Sequence, residues 1–177
     1  MSKKVLFLFL LVLLYSSAWA DDTRYNVSKL RLQYLQASKE EAVAKQFHKK
    51  MSAYNDDDPL LLAYKAASEA VMAKYVWNPY SKLKQVKTAN AIFEDAVALD
   101  NDNAEIRFLR FTLQHYVPRY LNLSGQVEED KNLIIRSLQD YPNSGMSKPL
   151  ARTIRDFMLT KDHCTEAEKK ILRNISI

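Results

Sequence analysis

Glycine is almost absent from this chain, and its scarcity constrains the fold more than any other feature of the sequence. Only two of the 177 residues are glycine, Gly125 and Gly145. Glycine lowers helix stability by about 1 kcal/mol relative to alanine, so long stretches without it favour continuous helices. Alternating β-branched residues are scarce, whereas alanine, leucine, lysine, glutamate and glutamine abound. This composition predicts an all-α fold.

Capping residues mark several helix starts. Asp58 and Asn78 each stand before a proline, which is well tolerated at the first helical position because its missing N–H has no partner there. Ser38 and Thr165 begin capping-box patterns, with glutamate three residues later. Two weaker starts are predicted at Asp102 with Asn103 and at Ser124 with Gly125.

Apolar spacing between these marks predicts about eight helices. Short turns between them favour antiparallel hairpins. Small residues on one side of the third helix allow close approach of a neighbour. The fifth helix carries apolar residues on more than one face, so we expect it to be central. The predicted helices are 24–36, 39–54, 59–76, 79–99, 104–121, 126–140, 147–160 and 166–175; the small residues are Ala63, Ala66, Ala67 and Ala70; the main apolar stripe of the fifth helix is Ile106, Leu109, Leu113, Tyr116 and Tyr120.

The first 20 residues have the pattern of a secretory signal peptide. Two lysines precede an apolar run over residues 5–15, and Ala18 and Ala20 supply the small side chains that a signal peptidase needs. The alternative, a membrane anchor, is disfavoured because a spanning helix needs about 20 apolar residues. We therefore expect cleavage after Ala20, with residues 21–177 forming one exported helical domain.

Charge and cysteine content narrow the function classes. Without Lys3 and Lys4 the chain keeps 24 basic and 21 acidic residues, a net charge of +3, with both signs mixed along its length. Nucleic-acid binding is not expected, because it usually requires basic residues clustered on one face. The single cysteine, Cys164, cannot form an internal disulfide, so stability must come from packing.

Part of the chain resembles a tetratricopeptide repeat. Ala89, Phe93, Ala96 and Leu99 are similar to the second helix of such a unit, and a polar turn over residues 100–103 leads into the next helix. The turn lacks the usual proline. The starts at Asp58 and Asn103 are 45 residues apart, against roughly 34 in the standard repeat. The resemblance implies a right-handed array of elongated hairpins. The whole chain also resembles uncharacterised exported helical proteins of Gram-negative bacterial envelopes. This second resemblance gives no information about an activity.

No catalytic, metal or cofactor motif is recognisable. The three histidines lack a second ligand at the one-turn spacing of a metal motif, and His163 with Cys164 and Asp162 is better explained as a helix connection. The acidic residues 56–58 could suggest calcium, but Pro59 interrupts the loop that calcium requires, which favours a turn with an N-cap. The glycine-rich cradle of phosphate-transfer enzymes is also missing. We expect no enzyme activity, no metal and no cofactor.

Two groups of residues are candidates for partner binding. Trp77 and Tyr80 flank a helix start, and Arg107, Arg110 and Gln114 share the polar side of the fifth helix. Aromatic and arginine side chains are favoured at binding surfaces. The alternative for the aromatic pair is core packing between hairpins.

The sequence thus favours a non-catalytic interaction protein, periplasmic or otherwise secreted, that binds an unidentified protein or peptide. The first alternative is a small-ligand carrier or enzyme with a site between hairpins, near Tyr75, Trp77, Tyr80 and His115. The second is membrane-surface association through a short basic helix that carries Lys82, Lys84 and Lys87. Stable membrane insertion after signal cleavage is not expected.

Overall fold

The computed structural model describes residues 24–177, and the predicted signal peptide at 1–20 lies outside the described residues. The described part contains eight α-helices, one short 3-10 helix at Arg119–Leu121 and no strand, which confirms the all-α prediction. The helices are α1 (Val27–Ala37), α2 (Glu41–Ser52), α3 (Pro59–Tyr75), α4 (Pro79–Leu99), α5 (Ala104–Gln114), α6 (Val127–Gln139), α7 (Lys148–Met158) and α8 (Glu166–Arg173).

Most of the predicted caps are confirmed. The side chain of Asp58 accepts a hydrogen bond from the Leu61 amide (2.9 Å), and Asn78 and Asn103 cap α4 and α5 in the same way. Thr165 forms the complete capping box at the start of α8. Each cap satisfies an amide that would otherwise lack a partner in the first helical turn.

Two predicted starts are wrong. The backbone N–H of Ser38 still bonds to the carbonyl of Tyr34, so this residue ends α1, and its hydroxyl donates to the carbonyl of Leu35 (2.8 Å). Only three residues separate α1 from α2, which begins after Glu40 without a side-chain cap. The start predicted at Ser124 falls later, after Gln126.

The fifth helix is shorter than predicted. It ends at Gln114 instead of residue 121. Pro118 lacks the N–H that a continued helix would use, and Asn122 has a left-handed backbone (φ 53°) that closes the following 3-10 turn. Tyr116 and Tyr120 therefore leave the apolar stripe and are exposed.

The helices pair into the hairpins α1–α2, α3–α4 and α5–α6. The first helices of these hairpins, α1, α3 and α5, run in the same direction. Near the start of α5, Glu105 binds Arg31 of α1 (2.7 Å). Further along, the hydroxyls of Tyr34 in α1 and Thr112 in α5 are 2.9 Å apart. α1 and α5 are therefore parallel.

α3 follows the direction of α1 and α5. The Tyr64 hydroxyl donates to Glu105 (2.6 Å), level with Arg31 of α1. At the end of α3, the Tyr75 hydroxyl donates to the carbonyl of Ala37, the last residue of α1 (3.1 Å).

The second helices return antiparallel. Along α2 and α3, His48 contacts Glu69 while Tyr54 contacts Lys65. α3 and α4 pack on each other more extensively than any other pair of helices. The predicted small residues Ala63, Ala66 and Ala67 are buried in α3, and Ala70 is partly buried against the same core cluster. Small side chains on a helix allow its neighbours to approach closely.

The core has two parts, and α5 belongs to both. Ile106 and Leu109 pack in the larger cluster with α1 to α4, whereas Phe108 and Phe111 pack in a second cluster with α6, α7 and α8. Ten of the eleven residues of α5 are buried. This confirms the predicted central position of the helix.

Within residues 24–177, no helix is both long enough and apolar enough to cross a lipid bilayer.

Candidate interaction surface

α6 is antiparallel to α5, because Arg107 contacts Asp130 and Gln114 contacts Gln126, and the α7–α8 connection returns to the end of α5, where His163 contacts Tyr116. The helices therefore alternate in direction, and their connections lie at two ends of the molecule. The connections at one end contain six aspartates and no lysine or arginine. We call this the acidic end. Its connections are residues 53–58, 100–103 and 140–147, and its aspartates are Asp56, Asp57, Asp58, Asp100, Asp102 and Asp140. The connections at the opposite end are residues 38–40, 76–78, 115–126 and 159–165.

The opposite end carries the exposed aromatic side chains of the described chain. Trp77 is 98% exposed and Tyr80 is 86% exposed, and both lie at the junction of α3 and α4. Tyr116 (53%) and Tyr120 (81%) lie in the connection after α5. We call these four residues the aromatic end. Large aromatic side chains are usually mostly buried, so four exposed ones at the same end of the molecule form a distinctive surface.

Trp77 and Tyr80 are exposed because of where the α3–α4 hairpin turns. Val76 adopts an extended backbone after α3, and Asn78 then caps α4. The first residues of α4, 79–82, are all exposed, and the first buried residue of this helix is Ala89. The hairpin therefore extends beyond the core and carries both aromatic rings into solvent. Core packing, the alternative considered for this pair, is wrong.

A cleft of about 490 Å³ lies beside Trp77. Lys74 donates to the carbonyl of Ser38 (2.6 Å) and Tyr75 donates to that of Ala37 (3.1 Å), so the end of α1 lies beside the end of α3. Glu41, the first residue of α2, lines the cleft on this side. The residues that line the cleft are Glu41, Lys74, Tyr75, Val76, Trp77 and Lys82.

Basic residues dominate the surface next to this cleft. Between Glu69 and Glu94 the sequence contains four lysines and no acidic residue. Within residues 24–177, none of Lys82, Lys84 and Lys87 has a carboxylate at ion-pair distance. Their ammonium groups are exposed and free to meet anionic groups of a partner.

Arg107 and Arg110 lie inside the molecule, which corrects their assignment to an exposed polar face. Both are buried and bind Asp130 of α6. Arg110 donates to both carboxylate oxygens (2.6 and 2.8 Å), and Arg107 donates to Asp130 (2.9 Å) and to Glu129 (2.6 Å). Their charges fasten α6 to α5 instead of facing a partner.

Gln114 is also buried, for a related reason. Its side-chain amide donates to Asn90 of α4 (3.0 Å) and to Gln126 before α6 (3.1 Å). The polar side of α5 thus faces other helices. Of the five residues predicted for partner binding, the structure exposes Trp77 and Tyr80 and buries the other three.

Glu105 is a buried charge that the sequence did not single out. Arg31 binds it in a two-bond arrangement (2.7 Å each), and Tyr64 donates to it at 2.6 Å. Burial, together with the nearby Glu105 carboxylate, raises the pKa of Tyr64. The phenol therefore stays neutral and serves as a donor.

His115 does not line the cleft beside Trp77. Its ring stacks on Phe111 (5.3 Å between centroids) and lies 4.6 Å from the ring of His163. The Nδ1–H of His163 donates to the carbonyl of Phe157 (2.9 Å), so its Nε2 accepts from the Tyr116 hydroxyl (2.8 Å). Burial lowers the pKa of His163, which favours this neutral form.

The metal-binding alternatives gain no support. Both ring nitrogens of His163 are already hydrogen bonded, and burial raises the pKa of Cys164 to about 11. Asp58 caps α3, as the turn interpretation of the acidic cluster predicts. In the part of the chain that the structure describes, no three His, Cys, Asp or Glu side chains are arranged to hold a metal ion.

Comparison of the chain with protein-family models, curated proteins and solved structures gives no match.

Proposed function

We propose that this chain is a non-catalytic interaction protein that binds a protein or peptide partner through its aromatic end. The exposure of Trp77 beside that of Tyr80 is the observation that carries the proposal. Tryptophan and tyrosine dominate the energetics of protein interfaces, because each buries a large area with few rotatable bonds. A fully exposed indole leaves this contribution unused until a partner covers it.

The support beneath these aromatic residues also suits binding. Asn78 fixes the start of α4, and the close packing of α3 on α4 holds the hairpin. Rings presented on a fixed backbone lose little conformational entropy when a partner binds. A rigid hairpin is therefore a good platform for a partner.

The cellular compartment in which the protein acts is also part of the proposal. The signal-peptide pattern of residues 1–20 supports export, and the periplasm is the compartment we propose.

The parallel first helices and antiparallel second helices agree with the hairpin stacking that the resemblance to tetratricopeptide repeats implies. The step from repeat architecture to partner binding is an analogy at the level of the fold.

A small-ligand carrier is the second candidate, because the cleft beside Trp77 falls within the usual volume of ligand pockets. Tyr75 and Trp77 could cover an aromatic ligand there. Its polar lining, with two lysines and Glu41, favours a charged partner segment over a buried apolar ligand.

Affinity capture from an envelope extract of the source organism tests the proposal. The tagged protein is compared with Trp77→Ala, Tyr80→Ala and a matched control, Leu99→Ala. Leu99 is also exposed (57%) but ends α4 near the acidic end. We expect specific partners to be lost from the first two variants and retained by the control. Capture of the same proteins by all variants would count against this surface.

A further inference from the structure

The free lysines beside the aromatic end have a consequence for the partner. We infer that the partner presents an acidic segment of polypeptide, with carboxylates on either side of an apolar or aromatic side chain. This inference rests on the proposed function, because it concerns the same surface.

Charge complementarity is the first support. Lys74 and Lys82 line the cleft together with Trp77, whereas Lys84 and Lys87 are exposed on other faces of α4. Glu41 is the acidic residue of the lining, and it already pairs with Lys45 (2.8 Å). The cleft therefore has unmatched positive charge. Lysine ammonium groups attract carboxylates, and such pairs steer association and set specificity.

The shape of the site favours polypeptide over a lipid surface. Of the exposed neighbours of Trp77 and Tyr80 at the hairpin tip, Asn78, Ser81 and Lys82 are polar, and Pro79 is the one small apolar residue. Only the two aromatic rings would enter a hydrocarbon layer, whereas interfacial helices present a broad apolar face. A cleft with an indole wall fits a single protruding side chain of a peptide.

The uneven distribution of charge between the two ends of the molecule directs an acidic segment to the aromatic end. The connections of the acidic end contain six aspartates and no basic residue, so they repel an acidic chain. The field of a whole protein guides charged partners in this way before contact is made. An acidic segment therefore approaches the aromatic end.

Fluorescence of Trp77 tests this inference directly. The chain contains two tryptophans, so in the full chain carrying Trp19→Phe the emission comes from Trp77 alone. The probe is a random copolymer of glutamate and tyrosine, and a copolymer of lysine and tyrosine is the charge-reversed control. We expect a saturable blue shift with the acidic probe, weakened by salt, and none with the basic one.

Charge variants measure the contribution of the lysines. Lys82→Gln is expected to weaken binding of the acidic probe about twofold, at roughly 0.5 kcal/mol for one exposed ion pair. The matched control is Lys49→Gln, which removes the same charge from an exposed position elsewhere. It should bind like the parent.

Three results would overturn the inference. The first is no response to the acidic copolymer. The second is a shift only with vesicles of equimolar phosphatidylglycerol and phosphatidylcholine, which would make an anionic lipid surface the partner. The third is a shift on raising protein concentration alone, which would make a second copy the occupant. If captured partners need Trp77 but not Lys82, the proposed function stands and only the acidic segment fails.

Discussion

Buried charges of α5 connect it to helices on either side. Glu105 binds Arg31 and Tyr64, and Asp130 accepts hydrogen bonds from both Arg107 and Arg110. The sequence shows these residue types but not their partners, because Asp130 is 20 residues from Arg110 and meets it only when α6 folds back. A polar stripe on a helix therefore predicted a surface where the structure has an internal network.

Removal of the Asp130 carboxylate tests this network. Asp130→Asn leaves the buried guanidinium of Arg110 without a counter-charge, whereas Arg107 keeps Glu129 (2.6 Å), and breaking a buried pair costs about 3–5 kcal/mol. We expect the free energy of unfolding in urea to fall by about that amount. The control Asp95→Asn changes an exposed carboxylate of α4 and should stay within about 0.5 kcal/mol. Equal effects of the two substitutions would contradict the role given to Asp130.

His163 is expected to make stability depend on pH. Burial lowers its pKa in the folded protein, whereas in the unfolded chain the value is about 6.5. The unfolded state then binds more protons as the pH falls below about 6.5, so the free energy of unfolding decreases with acidification. Denaturation in urea at pH 7 and pH 5 measures this loss.

Two variants separate ionisation of His163 from its hydrogen bond. His163→Asn removes the titrating ring, so we expect the loss between pH 7 and pH 5 to shrink. Tyr116→Phe removes the hydroxyl that donates a hydrogen bond to Nε2. It should lower the free energy of unfolding by about 1 kcal/mol while the pH dependence remains. An unchanged pH profile in His163→Asn would show that other groups dominate, such as Asp162, whose pKa is lowered by a hydrogen bond from its own backbone amide.

At the scale of helices, capping patterns predicted most starts, and their failures have local causes. Asp58 and Asn78 were reliable because each precedes a proline at the first helical position, where the fixed φ suits the helix and the missing N–H has no partner to lose. Ser38 failed because α1 continues through Ala37 and keeps the serine in its last turn. The end of α5 was missed because apolar spacing continues to Tyr120, although Pro118 stops the helix.

A pair of substitutions distinguishes the true capping box from the false one. Thr165→Ala removes a side-chain acceptor for the Glu168 amide and should destabilise the protein by about 1 kcal/mol. Ser38→Ala removes only a hydroxyl bond to the Leu35 carbonyl and should cost less than about 0.5 kcal/mol. Thermal unfolding followed by circular dichroism compares the two. A larger loss at Ser38 would contradict the observed helix boundary.

At the scale of the whole molecule, α5 unites two core clusters that the sequence could not separate. Periodicity identified its excess of apolar residues but not which neighbours they meet, since those neighbours come from distant segments. The polarity of the two ends, by contrast, follows from the alternation of acidic and aromatic connections along the chain, once the hairpins are known.

Because α5 packs in both core clusters, a substitution that destabilises one cluster should also destabilise the other. Phe111→Ala leaves a cavity in the second cluster and should cost about 3–5 kcal/mol. We expect amide hydrogen exchange to accelerate in α3, which belongs to the first cluster, as well as in α7. Acceleration confined to α6, α7 and α8 would mean that the two clusters unfold independently.

The surface through which the protein meets its partner can be tested by site-specific photo-crosslinking in cells that express it. A photoreactive amino acid replaces Trp77 in one variant and Leu99 in another, since both positions are exposed at opposite ends of the hairpin. We expect discrete crosslinked protein products from position 77 and none from position 99. Crosslinks from position 99 with none from position 77 would contradict the assignment of partner binding to the aromatic end.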